Sequence, residues 1–377
     1  MKIILAPDSF KGSLTAAEAC RAMADGVARV RPDATLVSIP MADGGEGTAD
    51  ALAAATGGRL IETPATGPLG EKQTGRFALL GDGRTAVVEM AAVSGLPLVP
   101  PAKRNPLHTT TYGTGTLMAA ALDAGADHLI VGIGGSATTD LGAGMAQALG
   151  VRFLDDRGRP ITEPMTGGRL ADVAAVDLSG LHPAVRPCRI EVACDVDNPL
   201  LGPRGAAAVF APQKGATPAD IAVLEANLAR AVDLIEREIG RAIGDLPGAG
   251  AAGGLGAGLV GFCGATLTPG IDLVLAAARF AERLDGADLI LTGEGRLDAT
   301  TVHGKTISGI LRLTRPAAIP VIALAGTVAD GDALAGLGLA AAHAIAPDTM
   351  PVERAMAEGY RLLAATAERV MRRWPRP

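Results

Sequence analysis

Short apolar runs that end in glycine-rich loops, each loop opening a helical pattern, recur along this chain and constrain its fold more than any other feature. Ile3–Ala6 is such a run. The loop Pro7–Ser13 follows it, and a helix begins at Thr15, where the order T-A-A-E sets Glu18 in place for a capping box. Leu36–Ile39, the loop MADGGEGT and a helix of Ala and Leu that stops at Gly57-Gly58 repeat the unit. That alternation predicts a parallel sheet covered by helices. The texture changes near residue 60, where Arg76–Leu80 and Thr85–Met90 flank Gly81-Asp82-Gly83 as an antiparallel hairpin. A strand at His128–Val131, the loop GIGGSATTD, a helix at about Leu141–Leu149, a strand at Arg189–Cys194 and a long helix from Pro218 follow. From about Ile271 the parallel pattern resumes, through the strand Leu289–Leu291, the loop TGEGRLD, a helix near Lys305–Leu313, the strand Val321–Ala325 and a closing helix Pro351–Arg373. The expected class is therefore α/β, with one discontinuous domain built from residues 1–65 and 285–377. A second α/β domain, 66–284, is expected as an insertion, with the active site in the cleft between them.

The chain has 377 residues, 48% of them apolar and 20% charged, enough for two cores and too apolar for disorder. Aromatics are 2% and net charge is −6, so neither a base-stacking platform nor a basic face for nucleic acid is present. Four scattered cysteines without a CxxC pair argue against a disulfide framework or structural zinc and fit a reducing cytoplasm. No apolar run approaches the roughly 18 residues of a membrane span. Of 34 cationic side chains only six are lysines, and Lys11, Lys214 and Lys305 each adjoin a glycine in a turn-rich segment. A compact ammonium on a flexible stem suits an anion pocket in a way that Arg does not.

Four loops could carry chemistry. In LILTGEGRLDATTVHGKT (289–306) a strand delivers Glu294, Arg296 and Asp298 to its C-terminal edge, where open α/β sheets place ligands. Gly304-Lys305-Thr306 then opens a helix whose N–H groups favour an anion. It is not a Walker A loop, which needs Gly at 299, where this chain has Ala. A capped turn with solvated charges is the structural alternative. GIGGSATTD offers Gly134, Gly135, Ser136 and Thr138 as a backbone nest for phosphate, or simply close strand–helix packing. MADGGEGTAD places Asp43 and Glu46 around Gly44 and Gly45, which could meet a substrate or merely cap a helix dipole. CDVDNPLLG carries Asp195 and Asp197 on opposite faces of a strand end, so one can act as base or magnesium ligand. The glycines of GAGAAGGLGAG (248–258) follow a helix end, not a strand; they are no dinucleotide fingerprint and read as a hinge or a nucleotide-facing loop.

Taken together, APDSFKGSLTAAEA, PMADGGEGT, TTYGTGTL, GIGGSATTDLGAGMAQALG, CDVDNPLLG, APQKGA and TGEGRLDATTVHGK resemble the type-1 glycerate kinase family, in its order and nearly end to end. His303 is a local departure. The resemblance implies that the discontinuous domain is flavodoxin/Rossmann-like, and that the reaction is ATP plus D-glycerate giving 2-phosphoglycerate and ADP. Phosphoryl transfer asks for positioning and charge neutralisation, which glycine loops, a few lysines and a magnesium-binding carboxylate supply.

The expected catalytic set is Asp195, Asp298 and Lys305, the two aspartates doubling as candidate Mg2+ ligands. Ser9, Lys11, Asp43, Gly44, Gly45, Glu46 and Arg296 are expected at D-glycerate. Gly134, Gly135, Ser136, Thr138, Lys214 and Glu294 are expected at ATP. Glycerate 3-kinase regiochemistry remains an alternative, as does a homodimer. A hydroxy-acid dehydrogenase would need a GxGxxG after a strand with a His–Asp pair, and a sugar-acid sensor a DNA-binding helix or basic patch. The sequence displays none of these.

Overall fold

The computed structural model describes residues 1–298, 306–329 and 336–375. Contacts divide the chain into two compact units. One comprises Met1–Asp43, Asp50–Gly57 and the described part of Ile271–Pro377; the other comprises Gly44–Ala49 and Gly58–Gly270. Besides the short exchange at Gly44–Ala49, the changes of unit fall at 57/58 and 270/271, where the sequence predicts 65/66 and 284/285. The physical reason for the first is the strand Arg59–Thr66, which pairs along its whole length with Lys72–Leu79.

The first unit is built on a five-stranded parallel sheet of β1 (Lys2–Pro7), β2 (Thr35–Ser38), β3 (Leu289–Gly293), β4 (Val321–Ala325) and β5 (Ala341–Ala344). Every adjacent pair is parallel and the spatial order is 2-1-3-4-5, the doubly wound flavodoxin-like arrangement. Ile3, Ile4 and Leu5, Leu289–Leu291 and Ala323–Ala325 are all fully buried. Their unbroken apolar runs are what a strand covered on both faces requires. The helix Ala16–Ala28 opens with the expected capping box, Thr15 and Glu18 bonding reciprocally. It packs closely on the helix Gly359–Arg373, because Gly26 leaves room where a Cβ would overlap the Ala364 carbonyl. The closing helix is two pieces, Val352–Ala357 and Gly359–Arg373, meeting at Glu358.

The second unit has a six-stranded mixed sheet. In order these strands are Thr266–Thr268, Arg189–Ala193, His128–Gly132, Thr85–Glu89, Lys72–Leu79 and Arg59–Thr66. The first four are mutually parallel. Lys72–Leu79 runs antiparallel to Thr85–Glu89, which is the expected hairpin, and Arg59–Thr66 pairs antiparallel with Lys72–Leu79 to form one end of the sheet. Phe77, Val88, Leu117, Val131, Phe153 and Leu255 belong to one continuous core. The helix Pro218–Ile239 starts with a second capping box, Thr217 with Asp220. No helix among the described residues is long and apolar enough to cross a membrane.

Candidate active site

In a sheet of order 2-1-3-4-5 the connections leave β1 in opposite directions, and ligands sit outside the carboxyl ends of the strands where that reversal occurs. Here the reversal lies between β1 and β3. The residue at that point is Asp8, whose backbone N–H donates to Gly293 O at 2.8 Å. One carboxylate oxygen of Asp8 accepts from the Ser9 N–H at 2.6 Å, and the other from the Thr306 hydroxyl at 2.6 Å. Burial, reinforced by the charge of Asp43, pushes its carboxyl up to about 6, against the pull of those hydrogen bonds. Beyond it, Phe10 and Leu14 close a tight turn, with Gly12 at φ +77°, that leaves Lys11 exposed. Ser9 and Asp43 are half-buried.

The end of β3 is equally constrained. The Thr292 hydroxyl donates to Ala6 O at 2.8 Å, and Gly293 lies so near the Leu324 carbonyl that a Cβ would overlap it. Glu294 is 8% exposed, so it faces the interior rather than an open nucleotide surface. Arg296 is exposed and its Nε lies 2.9 Å from an Asp298 carboxylate oxygen, so the two residues expected to act separately form an ion pair. Lys305 lies outside the described residues.

In the second unit, Gly44–Thr48 rests against the C-terminal ends of the parallel strands. A Cβ on Gly44, at φ +91°, would come within 2.6 Å of Ala193 Cβ and 2.9 Å of Gly270 Cα. Gly134 is beside Gly45, and the Ala49 N–H donates to Glu89 at 2.8 Å. Two of the loops read from the sequence are thus neighbours, with Glu46 exposed above them. In the second loop Gly134 and Gly135 are exposed, Gly135 at φ +74°. The loop is strapped by Leu96 N–H to Gly135 O at 2.9 Å and Ala137 N–H to Ser94 O at 3.0 Å.

Other members of the expected ATP set lie deeper. Ser136 is 8% exposed, and Thr138 is fully buried with its hydroxyl lacking a partner among the described residues. Lys214, 1% exposed, donates its ammonium to the Thr138 carbonyl, and burial pushes it down to about 7 while the charge of Asp140 draws it up. It therefore braces the loop from within and does not present a charge at its open side. A strand–glycine–hydroxyl order does not say which hydroxyls turn inward, so the sequence left a phosphate nest and close packing both open here.

Asp140 organises the same loop. Fully buried, it accepts from the Thr111 N–H and hydroxyl, both at 2.8 Å, and from the N–H groups of Gly142 at 3.2 Å and Gly144 at 3.3 Å. Burial raises its carboxyl, and these four donors oppose that shift. The glycines of 248–258 are neither hinge nor open loop. They are buried in and before the helix Ala251–Cys263, with Ala252, Gly253 and Gly254 at positive φ, where Gly253 O accepts from the Leu141 N–H at 3.1 Å. Asp195 is exposed and accepts from the Gly270 N–H at 2.9 Å, whereas Asp197 pairs with Arg204 at 2.9 Å.

Asp8 and Asp140 are the residues that motif reading passed over. Both stand in segments it singled out, and the available signal was position: Asp8 is the first carboxylate after the first strand.

A family model described as the glycerate kinase family matches residues 3–375. The chain is 52% identical over 368 residues to a protein of Bacillus subtilis (strain 168) named glycerate kinase, covering 97% of this chain and 96% of that one. It is 48% identical over 330 residues to the glycerate 2-kinase of Escherichia coli (strain K12), covering 88% and 86%. A crystal structure described as a putative glycerate kinase 2 from Salmonella typhimurium LT2 superposes with a TM-score of 0.91 at 46% identity, over 99% of this chain and 97% of that one.

Proposed function

The chain belongs to the glycerate kinase family, and from that premise we propose that it transfers the γ-phosphoryl group of Mg-ATP to the C2 hydroxyl of D-glycerate. It is a kinase, a phosphotransferase with an alcohol acceptor. The observation that carries the reading is the match of the family over residues 3–375, together with glycine loops at the carboxyl ends of parallel strands in each unit. Such an arrangement supports a reaction that needs positioning and charge neutralisation more than covalent work.

The exposed Gly134 and Gly135 are assigned to the ATP phosphates, since a backbone without side chains can approach an anion closely. Lys214 and Asp140 hold that loop in shape from beneath. Ser9, Lys11 and Arg296, around the β1 and β3 ends, are assigned to the glycerate carboxylate and hydroxyls.

Among the described residues no three metal-binding side chains cluster. Magnesium keeps waters and substrate phosphates as most of its ligands and takes one or two carboxylates from protein. Asp298 is the candidate carboxylate of the first unit and Asp195, exposed after its strand, that of the second. When bound, the ion neutralises charge on the phosphate oxygens.

Glycerate-dependent ADP release from Mg-ATP tests the reading, and its absence at every magnesium concentration overturns it. Phosphorus NMR of the product tests the regiochemistry: 3-phosphoglycerate alone would transfer the assignment to C3 and leave the kinase reading in place.

A further inference from the structure

We propose that Asp8 is the catalytic base that accepts the proton of the glycerate hydroxyl as phosphoryl transfer proceeds. The inference rests on the kinase reading and adds the residue that performs its proton transfer.

Three observations converge on Asp8. It stands at the carboxyl end of β1, at the reversal of strand order, which is where ligands of such sheets bind. Its carboxylate is held in one orientation from two sides, by the Ser9 N–H and by the Thr306 hydroxyl at the start of the helix Thr306–Thr314. Each oxygen accepts one such bond and keeps a second lone pair for a substrate hydroxyl. No cation among the described residues is ion-paired with it, whereas Asp298 is paired with Arg296 and Asp195 sits exposed. Among the described residues the groups facing Asp8 are Ser9 on its own loop, Thr306 on the helix after β3 and Asp43 beyond β2. Burial, and after it the like charge of Asp43, make the carboxylate a stronger base than one in water, with its carboxyl raised to about 6.

The step balances. The Asp8 carboxylate takes the hydroxyl proton while the glycerate oxygen forms its bond to the γ-phosphorus. The bond from that phosphorus to the bridging oxygen breaks, and its electron pair leaves with ADP. Asp8 ends the turnover protonated and returns the proton to solvent.

Asp8→Asn keeps the volume and removes the basic oxygen. The expected result is a loss of kcat of about 10²-fold or more, with the dissociation constants of ATP and glycerate within a few-fold of wild type. Folding is checked in the same variant. Because the native carboxyl is raised above the unfolded value of 3.8, the native state keeps a proton that the unfolded chain releases between about pH 4 and 6. The stability this contributes is present below pH 4 and lost as pH rises through 6. The Asn variant is free of that loss, so it should melt at or above the wild-type temperature at pH 8, and the advantage should vanish at pH 4.

Thr306→Val provides the second readout. Its hydroxyl favours the charged carboxylate, so removing it should move the acid limb of kcat/KM, near pH 6 in wild type, to higher pH. A purely structural Asp8 would leave that limb in place. An active wild type whose Asp8→Asn variant retains kcat, or an acid limb that Thr306→Val does not move, overturns the base assignment alone. A wild type with no glycerate-dependent ADP release overturns the kinase reading and the base with it.

Discussion

Removing the carboxylate of Asp140 is the most direct test of how the glycine loop is held. Four donors converge on it: the Thr111 N–H and hydroxyl and the Gly144 N–H on one oxygen, and the Gly142 N–H on the other. All lie in a site the solvent does not reach. Asp140→Ala leaves three backbone N–H groups without that acceptor, and at the lower bound of about 1 kcal/mol for each orphaned donor the cost is about 3 kcal/mol. The hydroxyl can rotate and is left out of the sum. For a unit of roughly 220 residues, 1 kcal/mol moves Tm by about 2–4 °C, so the variant should melt roughly 6–12 °C below wild type. Asp140→Asn should fall between, because its amide oxygen can keep the three donors on one side while its NH2 group meets the Gly142 N–H. Thermal unfolding followed by circular dichroism measures both. An Ala variant that melts within about 2 °C of wild type, or an Asn variant less stable than Ala, would refute the argument that acceptor capacity is what Asp140 contributes.

Gly253 at φ +72°, with the Thr138 carbonyl where a Cβ would go, should tolerate no side chain. Gly253→Ala should destabilise the second unit by about 1–3 kcal/mol from backbone strain and further from the overlap with the Thr138 carbonyl, seen as a lower Tm, and an unchanged Tm would contradict this packing. Gly134 has no positive φ and only ordinary contact at its would-be Cβ, 3.6 Å from Gly45, so Gly134→Val probes the surface without straining the chain. It should raise the KM for ATP much more than that for glycerate at unchanged Tm, and equal effects on both would remove the loop from the nucleotide. Lys305, beside the helix that begins at Thr306, is expected to stabilise charge that grows in the transition state. Lys305→Ala should cost about 3 kcal/mol, or 10²-fold in kcat, with poor rescue by Arg; near-native kcat would place it outside the chemistry.

Local rules were legible throughout. The capping boxes at Thr15 and Thr217 formed as T-x-x-E and T-x-x-D predict, because a cap is satisfied within four residues. The apolar runs Ile3–Ala6 in β1 and Leu289–Leu291 in β3 announced strands buried on both faces, and the hairpin before Thr85 followed from its turn residues. The 248–258 glycines were misjudged because a distant segment intervenes: they are packing sites where the 138–142 loop presses against them.

The same division runs through the candidate site. Sequence alone singled out the candidate loops, since glycine, hydroxyl and carboxylate residues at strand ends are a local pattern that any α/β arrangement turns to one edge. It also determined the family, through the order of those loops. Which residue in each loop faces outward was decided only by tertiary structure. Asp8 stands at the strand-order reversal because β1 pairs with β3, nearly the whole chain away, and not with β2 alone. Lys214, expected at the ATP phosphates, is an internal brace because the Thr138 carbonyl, 76 residues earlier, meets it in the core. Burial and strand adjacency depend on pairings across hundreds of residues, whose energies no local window contains.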